Sequence, residues 1–442
     1  MAHAAIEGAW YRTLSATQWK TLLASNLGWV FDGFETYALI LTVGLALRDL
    51  LDPSEHSRIP AYAGAIIATT LLGWALGGLM AGVVADYIGR KRTMILAILT
   101  YSFMTALSAF SWDWTSFAII RFLVGLAIGS EWVTGTSLTA EFWPDHARGR
   151  GAGLFQCGFG IGFFLASLVW LFVGTTGPAA WRTMYLIGVL PALLTLWIRR
   201  AIPESKLWEE ANERRRAAAE RRRSGAVPLP EDKSLTRFTL VDLFVEPEER
   251  NLTIIALLMA TASAVGFWAI SSWVPPFVGS VAAKAGNSAT QWASYTGMTF
   301  TAGTIVGYVG FGFLADAFGR KPITLLFFAV SLLLTPILFL WATNLFALLA
   351  LAALLGCFAS GQFTWMSTWL PELYPTRIRA TGAGFIFNVS RVPAALGVFI
   401  AGAAIAYFGN YGNAATTIAL IYLLGLAAGP FLPETRGKPL PH

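Results

Sequence analysis

Long apolar runs, each near twenty residues and separated by short polar segments, fill this chain from Lys20 to Leu432. A hydrocarbon core of about 30 Å is crossed by roughly 20 helical residues. Inside it, each backbone polar group must be bonded within its own segment, which leaves helices as the solution for runs of this length. Twelve spans are expected, at about 20–47, 61–84, 93–111, 115–140, 149–174, 181–200, 251–279, 291–314, 322–341, 344–370, 378–407 and 414–432. Composition agrees: 13% of the residues are charged and 56% hydrophobic, against roughly 25% charged in soluble domains. The expected fold class is an all-α membrane protein.

One long polar segment, 201–250, separates six spans from six. The expected organisation is an N-terminal bundle over 1–200, a cytoplasmic linker over 201–250 and a C-terminal bundle over 251–442. The linker holds the basic triplets Arg214-Arg-Arg216 and Arg221-Arg-Arg223. They are read either as a solvated topology determinant or as a contact for anionic lipid heads. With both termini cytoplasmic, 25 of the 31 Lys and Arg fall on the cytoplasmic side; the reverse orientation inverts that bias. The formal charge of +6 is therefore a topology signal, and no nucleic-acid partner is expected. Cys157 and Cys357 lie in separate apolar runs, so no disulfide, metal or cofactor framework is implied. None of the four histidines falls mid-membrane, so proton traffic must use carboxylates. No cleaved signal peptide is expected.

The two halves repeat. Gly82-Val-Val-Ala-Asp-Tyr-Ile-Gly-Arg-Lys91 matches Gly312-Phe-Leu-Ala-Asp-Ala-Phe-Gly-Arg-Lys321, and Glu141-Phe-Trp-Pro-Asp-His-Ala-Arg148 matches Glu372-Leu-Tyr-Pro-Thr-Arg-Ile-Arg379. Pro203-Glu-Ser matches Pro433-Glu-Thr in the same order. An even number of spans per unit makes the two repeats parallel. Paired bundles of this kind suit rocking about a site near the bilayer midplane.

On these residues the chain resembles the major facilitator superfamily along essentially its whole length. Arg121-x-x-x-Gly125 is similar to that superfamily's fourth-helix pattern. Asp32-Gly-Phe-Glu35 resembles the Asp-Gly-[Phe/Tyr]-Asp motif of organic-acid/proton symporters of the sialate/lactate and aromatic-acid types, with Glu35 replacing the second Asp. Gly129-Ser-Glu-Trp132 is closer to the sialate/lactate type. Pro203-Glu-Ser and Pro433-Glu-Thr-Arg-Gly437 resemble sugar-porter signatures, but the seventh span lacks the paired glutamines of hexose carriers.

Three groups of residues carry the expected chemistry. Asp32 and Glu35 share one face of the first span, and intramembrane carboxylates mark ion or substrate paths. The resemblance pairs Glu35 with Arg121, making Glu35 the proton carrier and Asp32 a relay or co-carrier. Glu131 is either a third member or a structural acid. Arg391, about a dozen residues into the eleventh span, is a candidate to hold a carboxylate in a bidentate fork; the alternatives are a fixed ion pair or snorkelling. Gln156, Gln362, Trp365 and Asn388 are polar or amphipathic groups in apolar helices, and the resemblance puts Gln156 and Trp365 on the cavity wall. At the cytoplasmic ends, Asp86, Arg90, Glu141, Arg148, Asp316, Arg320, Glu372 and Arg379 form a latch by resemblance, or a static anchor. Each of the two aspartates is expected to accept from a facing Arg, with Arg148 and Arg379 as natural partners, and from a neighbouring helix N-terminus, whose dipole favours anions. Trp112, Trp114, Trp181 and Trp341 fit an interfacial belt.

The expected function is proton-coupled import of a small organic anion by alternating access, without catalysis, by a monomer in the inner membrane. The alternatives are a carrier of a neutral or zwitterionic metabolite, and a transporter-like sensor, which the short polar tail disfavours.

Overall fold

The computed structural model describes residues 10–441 apart from 175, 191–192, 195–196, 199–200, 225–226, 228, 230–231, 272, 395 and 397–406. The described residues contain helices and turns and no strand. The first half comprises α1 (Ala16–Leu50), α2 (Ile59–Ile88), α3 (Arg90–Ser108), α4 (Trp114–Phe142), α5 (Arg148–Val173) and α6 (Ala180–Ile187). The polar segment carries α7 (Lys206–Ser224), α8 (Asp232–Leu235) and α9 (Thr239–Val245). The second half comprises α10 (Pro247–Ser271), α11 (Val274–Lys284), α12 (Ala289–Phe318), α13 (Arg320–Pro336), α14 (Leu345–Leu355), α15 (Thr364–Thr368), α16 (Leu370–Leu373), α17 (Arg379–Val389), α18 (Tyr411–Ala419) and α19 (Tyr422–Ala428). Among the described residues, nine helices are long and apolar enough to cross a membrane. Of the other expected spans, 93–111 falls on α3, while 181–200 and 378–407 run from α6 and α17 into residues outside those described.

Local chemistry sets the helix ends. Ser15 and Gln18 form a capping box at the start of α1, and Asp113 with Ser116 forms another at α4; each satisfies amides that have no intrahelical partner. Gly89 and Gly319 both take φ near +108°, a region costly for other residues. The chain thus reverses from α2 to α3, and from α12 to α13, without a loop. The seventh expected span is interrupted before Pro275 and Pro276, where α10 gives way to α11. The tenth is also discontinuous. A π-helical turn at Gly356–Ser360 follows α14, and two short helices continue it. Such turns relax the hydrogen-bond ladder and often mark functional regions.

α1 packs along α5 and α4, and α2 along α4. Two seams join the halves: α2 with α17, and α5 with α12. Both depend on glycine. A Cβ at Gly82 would lie 2.6 Å from the Ala380 carbonyl oxygen, and one at Gly312 would lie 2.2 Å from that of Gly149. Small residues let membrane helices approach backbone to backbone.

Candidate functional site

The first cluster lies inside the first half. Glu35 and Arg121 form a buried ion pair between α1 and α4. The Arg121 guanidinium also sits over the Tyr185 ring, 5.2 Å from its centroid. Asp32, one turn before Glu35, is fully buried, and its carboxylate accepts no hydrogen bond from a described residue. Glu131 is likewise buried and unpartnered. Its carboxylate lies against α1, where a Cβ at Gly28 would come within 1.8 Å of Oε1. Gly28 is one turn before Asp32, so Glu131 joins the α1 face that carries both acids. Asp32 feels the charges of Glu131, Glu35 and Arg391. The structure therefore gathers all four residues singled out on α1 and α4, but ion-pairs only two of them.

The second feature is a cavity between the halves. Its walls are mainly aromatic: Trp29, Trp74, Phe159, Phe267, Phe363 and Phe387, with Gln156, Tyr308, Ser390 and Arg391 among the polar groups. Arg391 donates to the Phe387 carbonyl and, at 3.0 Å, to Asn388 Oδ1. Its guanidinium lies 4.4 Å from the Trp74 ring centroid and 4.1 Å from that of Phe387, a double cation–π contact. No acid of the other half pairs with it among the described residues. The cavity measures about 30 Å³, far below the ~300 Å³ of an open ligand pocket. The site is closed down in this conformation.

Of the five residues singled out for substrate, Arg391 and Gln156 line this cavity. Asn388 stands behind Arg391 and packs on Gly78, where a Cβ would meet its amide nitrogen at 2.1 Å. Trp365 is buried and donates to Ser263 Oγ at 3.0 Å, and Gln362 donates to the Ala359 carbonyl. These last two are absent from the wall because each is turned into its own half. The extra aromatic lining is scattered over α2, α5, α10, α17 and the tenth span, with no local signal to separate it from lipid-facing Phe. Trp181 also departs from expectation. It is fully buried, with Nε1 donating to Asp49 at 3.3 Å, whereas Trp112 and Trp341 are exposed.

The third feature is a pair of pseudo-symmetric charge clusters at the linker end. Asp86 accepts from the Thr381 amide at 2.8 Å and from its hydroxyl at 2.7 Å, and pairs with Arg90 at 3.0 Å. Asp316 accepts from the Gly149 and Arg150 amides at 2.8 and 2.9 Å and pairs with Arg320 at 2.9 Å. Each aspartate thus meets the N-terminus of a helix in the opposite half, where the dipole favours an anion. That arrangement displaces the expected arginine partners. Arg379 pairs instead with Glu141 at 2.9 Å, and Arg148 with Glu372 at 2.9 Å, both across the halves. Glu141 and Glu372 are also held by Arg90 and Arg320.

Several residues not anticipated from the sequence complete these clusters. Glu204 accepts from the Arg90 and Lys91 amides, and Glu434 from those of Arg320 and Lys321. Each caps the helix that follows the sharp turn. Burial alone would raise the Glu434 carboxyl, but backbone donors from Lys321, Arg320, Arg436 and Thr435 hold it below its ordinary value. The signal was the equal spacing of the two Pro-Glu pairs. From α7, Arg215 bridges the Asp86 and Arg377 carbonyls, at 2.6 and 2.9 Å, and Trp208 also donates to the Asp86 carbonyl. Buried Asp242 on α9 pairs with Arg377 and Arg237. The Pro441 carbonyl accepts from Arg379, and that of Lys438 from Arg148.

Paired charge clusters, glycine seams and a cavity between two related halves define a multi-pass membrane carrier of major facilitator architecture. Residues 37–441 match the model of the family described as "Sugar (and other) transporter", and the chain belongs to that family. It is 30% identical over 439 residues to a probable 4-methylmuconolactone transporter of Cupriavidus pinatubonensis, covering 97% of this chain and 94% of that protein. It is 26% identical to the cis,cis-muconate transport protein of Acinetobacter baylyi, covering 95% and 96%. In fold it is similar to the proton:xylose symporter XylE bound to 6-bromo-6-deoxy-D-glucose, with a TM-score of 0.76, 21% identity, and 96% and 98% of the two chains covered.

Proposed function

We propose that this protein is a proton-coupled symporter that carries a small organic anion, a monocarboxylate or an aromatic or sugar acid, across the membrane unchanged. The observation that carries the reading is Arg391. It is a guanidinium on the wall of an otherwise mainly aromatic cavity between the halves, with no fixed acid partner among the described residues. A planar fork of donors suits a carboxylate, and aromatic walls suit a flat or partly apolar body. The acid relatives named above support that class. A neutral substrate would leave this cation without a task.

In this reading the six-helix bundles, 1–200 and 251–442, rock about the cavity while the linker 201–250 stays cytoplasmic. Glu35 takes the proton when the site opens outward and parts from Arg121. It gives the proton up when the pair re-forms. Asp32 and Glu131 share that task. The charge clusters act as the latch: engaged they close the cytoplasmic side, and rocking must break Glu141–Arg379, Glu372–Arg148 and the two aspartate–amide contacts. The carrier works as a monomer in the inner membrane with both termini in the cytoplasm.

The test uses purified protein in liposomes with an inward proton gradient. Labelled benzoates, muconate, lactate, pyruvate, sialate and sugar acids are offered, with uncharged sugars as controls. The expected result is gradient-stimulated uptake of one acid class, with internal acidification beyond that of empty liposomes. Uptake of uncharged sugars alone would overturn the anion assignment.

A further inference from the structure

The polar groups of the cavity wall stand at two flanks, with aromatic rings between them. The flanks are the two seams, because α1 and α4 separate α2 from α5. Beside the α2–α17 seam, Arg391 is fixed over Trp74 and Phe387. At the α5–α12 seam stand Gln156 and Tyr308. The backbones touch there: a Cβ at Gly153, about one turn before Gln156, would lie 2.7 Å from the Tyr308 carbonyl oxygen. A run of rings joins the flanks. Trp74 meets Trp29 edge-on at 6.4 Å, and Trp29 stacks on Phe159 at 4.7 Å.

A second chain of contacts ties the same flanks together. The Phe387 ring that carries Arg391 stacks on Trp132, with centroids 3.6 Å apart. Trp132 Nε1 in turn donates to Gln156 Oε1 at 3.1 Å. An amide oxygen occupied in this way leaves the Gln156 NH2 as its donor end. The Tyr308 phenol meets that side chain across the seam, so it keeps its own proton for a group in the cavity. Arg391 and Tyr308 both belong to the second half. When the bundles rock, the distance between these two donors is therefore unchanged.

We propose that Tyr308 is a specificity-determining residue that donates a hydrogen bond to the far end of the substrate, opposite the carboxylate held by Arg391. This rests on the symport reading above and narrows it. The ligand class is a flat, unsaturated carboxylate with a hydrogen-bond acceptor at its other end, either a hydroxyl oxygen or a second carboxylate. The aromatic run takes the body between the two poles. A two- or three-carbon monocarboxylate reaches Arg391 alone. An aromatic acid without the second group leaves the phenol unpaired once water is expelled, and a site built to hydrogen-bond a substrate group rejects the analogue that lacks it.

The test is calorimetric titration of purified wild type and Tyr308→Phe, which keeps the ring and removes the hydroxyl, with benzoate and 4-hydroxybenzoate. Wild type should bind 4-hydroxybenzoate about tenfold tighter than benzoate, the scale of one hydrogen bond. In the variant that ratio should fall to near one. Equal Kd values in wild type would overturn the assignment. So would an unchanged ratio in the variant, including equal weakening of both acids, which marks a packing role. Wild type alone gives a second check. 2-Hydroxybenzoate, whose hydroxyl lies beside the carboxylate, should bind no tighter than benzoate, and a gain equal to that of the 4-isomer would overturn the far-end placement. Arg391→Lys should weaken both benzoates and keep their ratio; a ratio that collapses there too would overturn Tyr308 as a separate pole. A wild type that binds uncharged sugars and neither acid would overturn the anion reading, and this proposal with it. The expected ratios without gradient-driven uptake in liposomes would support the two poles and overturn the symport reading alone.

Discussion

The two buried charge systems of this protein are built to opposite rules. At the linker end, Asp86, Asp316, Glu141 and Glu372 each accept from several donors, and donors from both halves converge on them. In the core of the first half, among the described residues, Asp32 and Glu131 accept none, and only Glu35 is ion-paired. A cluster whose acids are each gripped by donors from both halves has its charges fixed and can hold two bodies together. An unsaturated one keeps protonation open. In the proposed reading, one polypeptide reserves one set of carboxylates for mechanical closure and another for coupling. Burial alone does not distinguish them, since both are almost fully hidden from solvent.

The contrast can be broken or sharpened by substitution. Glu35→Gln should have the largest effect, abolishing accumulation driven by the proton gradient while exchange continues. The check is labelled uptake with and without the gradient, and retained accumulation would remove Glu35 from the coupling role. Arg391→Lys should follow, raising the apparent KM for carboxylates at least about tenfold through loss of the planar fork, with little change in pH profile. Concentration series for several acids measure it.

Glu141→Gln should leave Arg379 and Arg90 without their shared acid. Removing one partner of a buried pair costs about 3–5 kcal/mol. Because the pair spans the halves, much of that cost should appear as a shift toward the cytoplasm-open form. Reactivity of a cysteine introduced at the cytoplasmic mouth reports the shift, and thermal unfolding reports the remainder. Arg215→Ala removes two bonds to carbonyls on either side of a seam. It should move the same reactivity in the same direction by less, in keeping with about 1–2 kcal/mol for such bonds.

The smallest effect expected is that of acid on Glu434. Its folded carboxyl titrates below the unfolded one. Its stabilising contribution is therefore complete above the unfolded value of about 4.3 and fades as pH falls toward the folded value. Glu434→Gln should lower stability at neutral pH by about what the wild type loses there on acidification, and so flatten the acid limb of the unfolding curve.

Much of this architecture was written locally. Apolar length defines spans, and Lys/Arg placement sets the expected orientation, because hydrocarbon thickness and charge bias act on single segments. The double Gly-Arg-Lys motif announced two reversals, realised at Gly89 and Gly319 with equal φ. Asp32 and Glu35 were visible because a carboxylate in an apolar run stands out in one dimension. Breaks in the seventh and tenth spans were less legible. Pro275 and Pro276 were in plain view, but the π turn at Gly356–Ser360 depends on how that span packs against α12.

Pairing lay beyond the sequence. Arg148 and Arg379 carry the same charge whether they face an aspartate or a glutamate. Their choice of Glu372 and Glu141 follows from helix N-termini arriving first at Asp316 and Asp86. The same holds for the cavity: Trp74, Phe159 and Phe363 read as ordinary apolar residues until two halves bring them around Arg391. Segment length, net charge and turn chemistry are properties of neighbours along the chain. Which donor satisfies which acid is a property of neighbours in space, and only tertiary structure decides it.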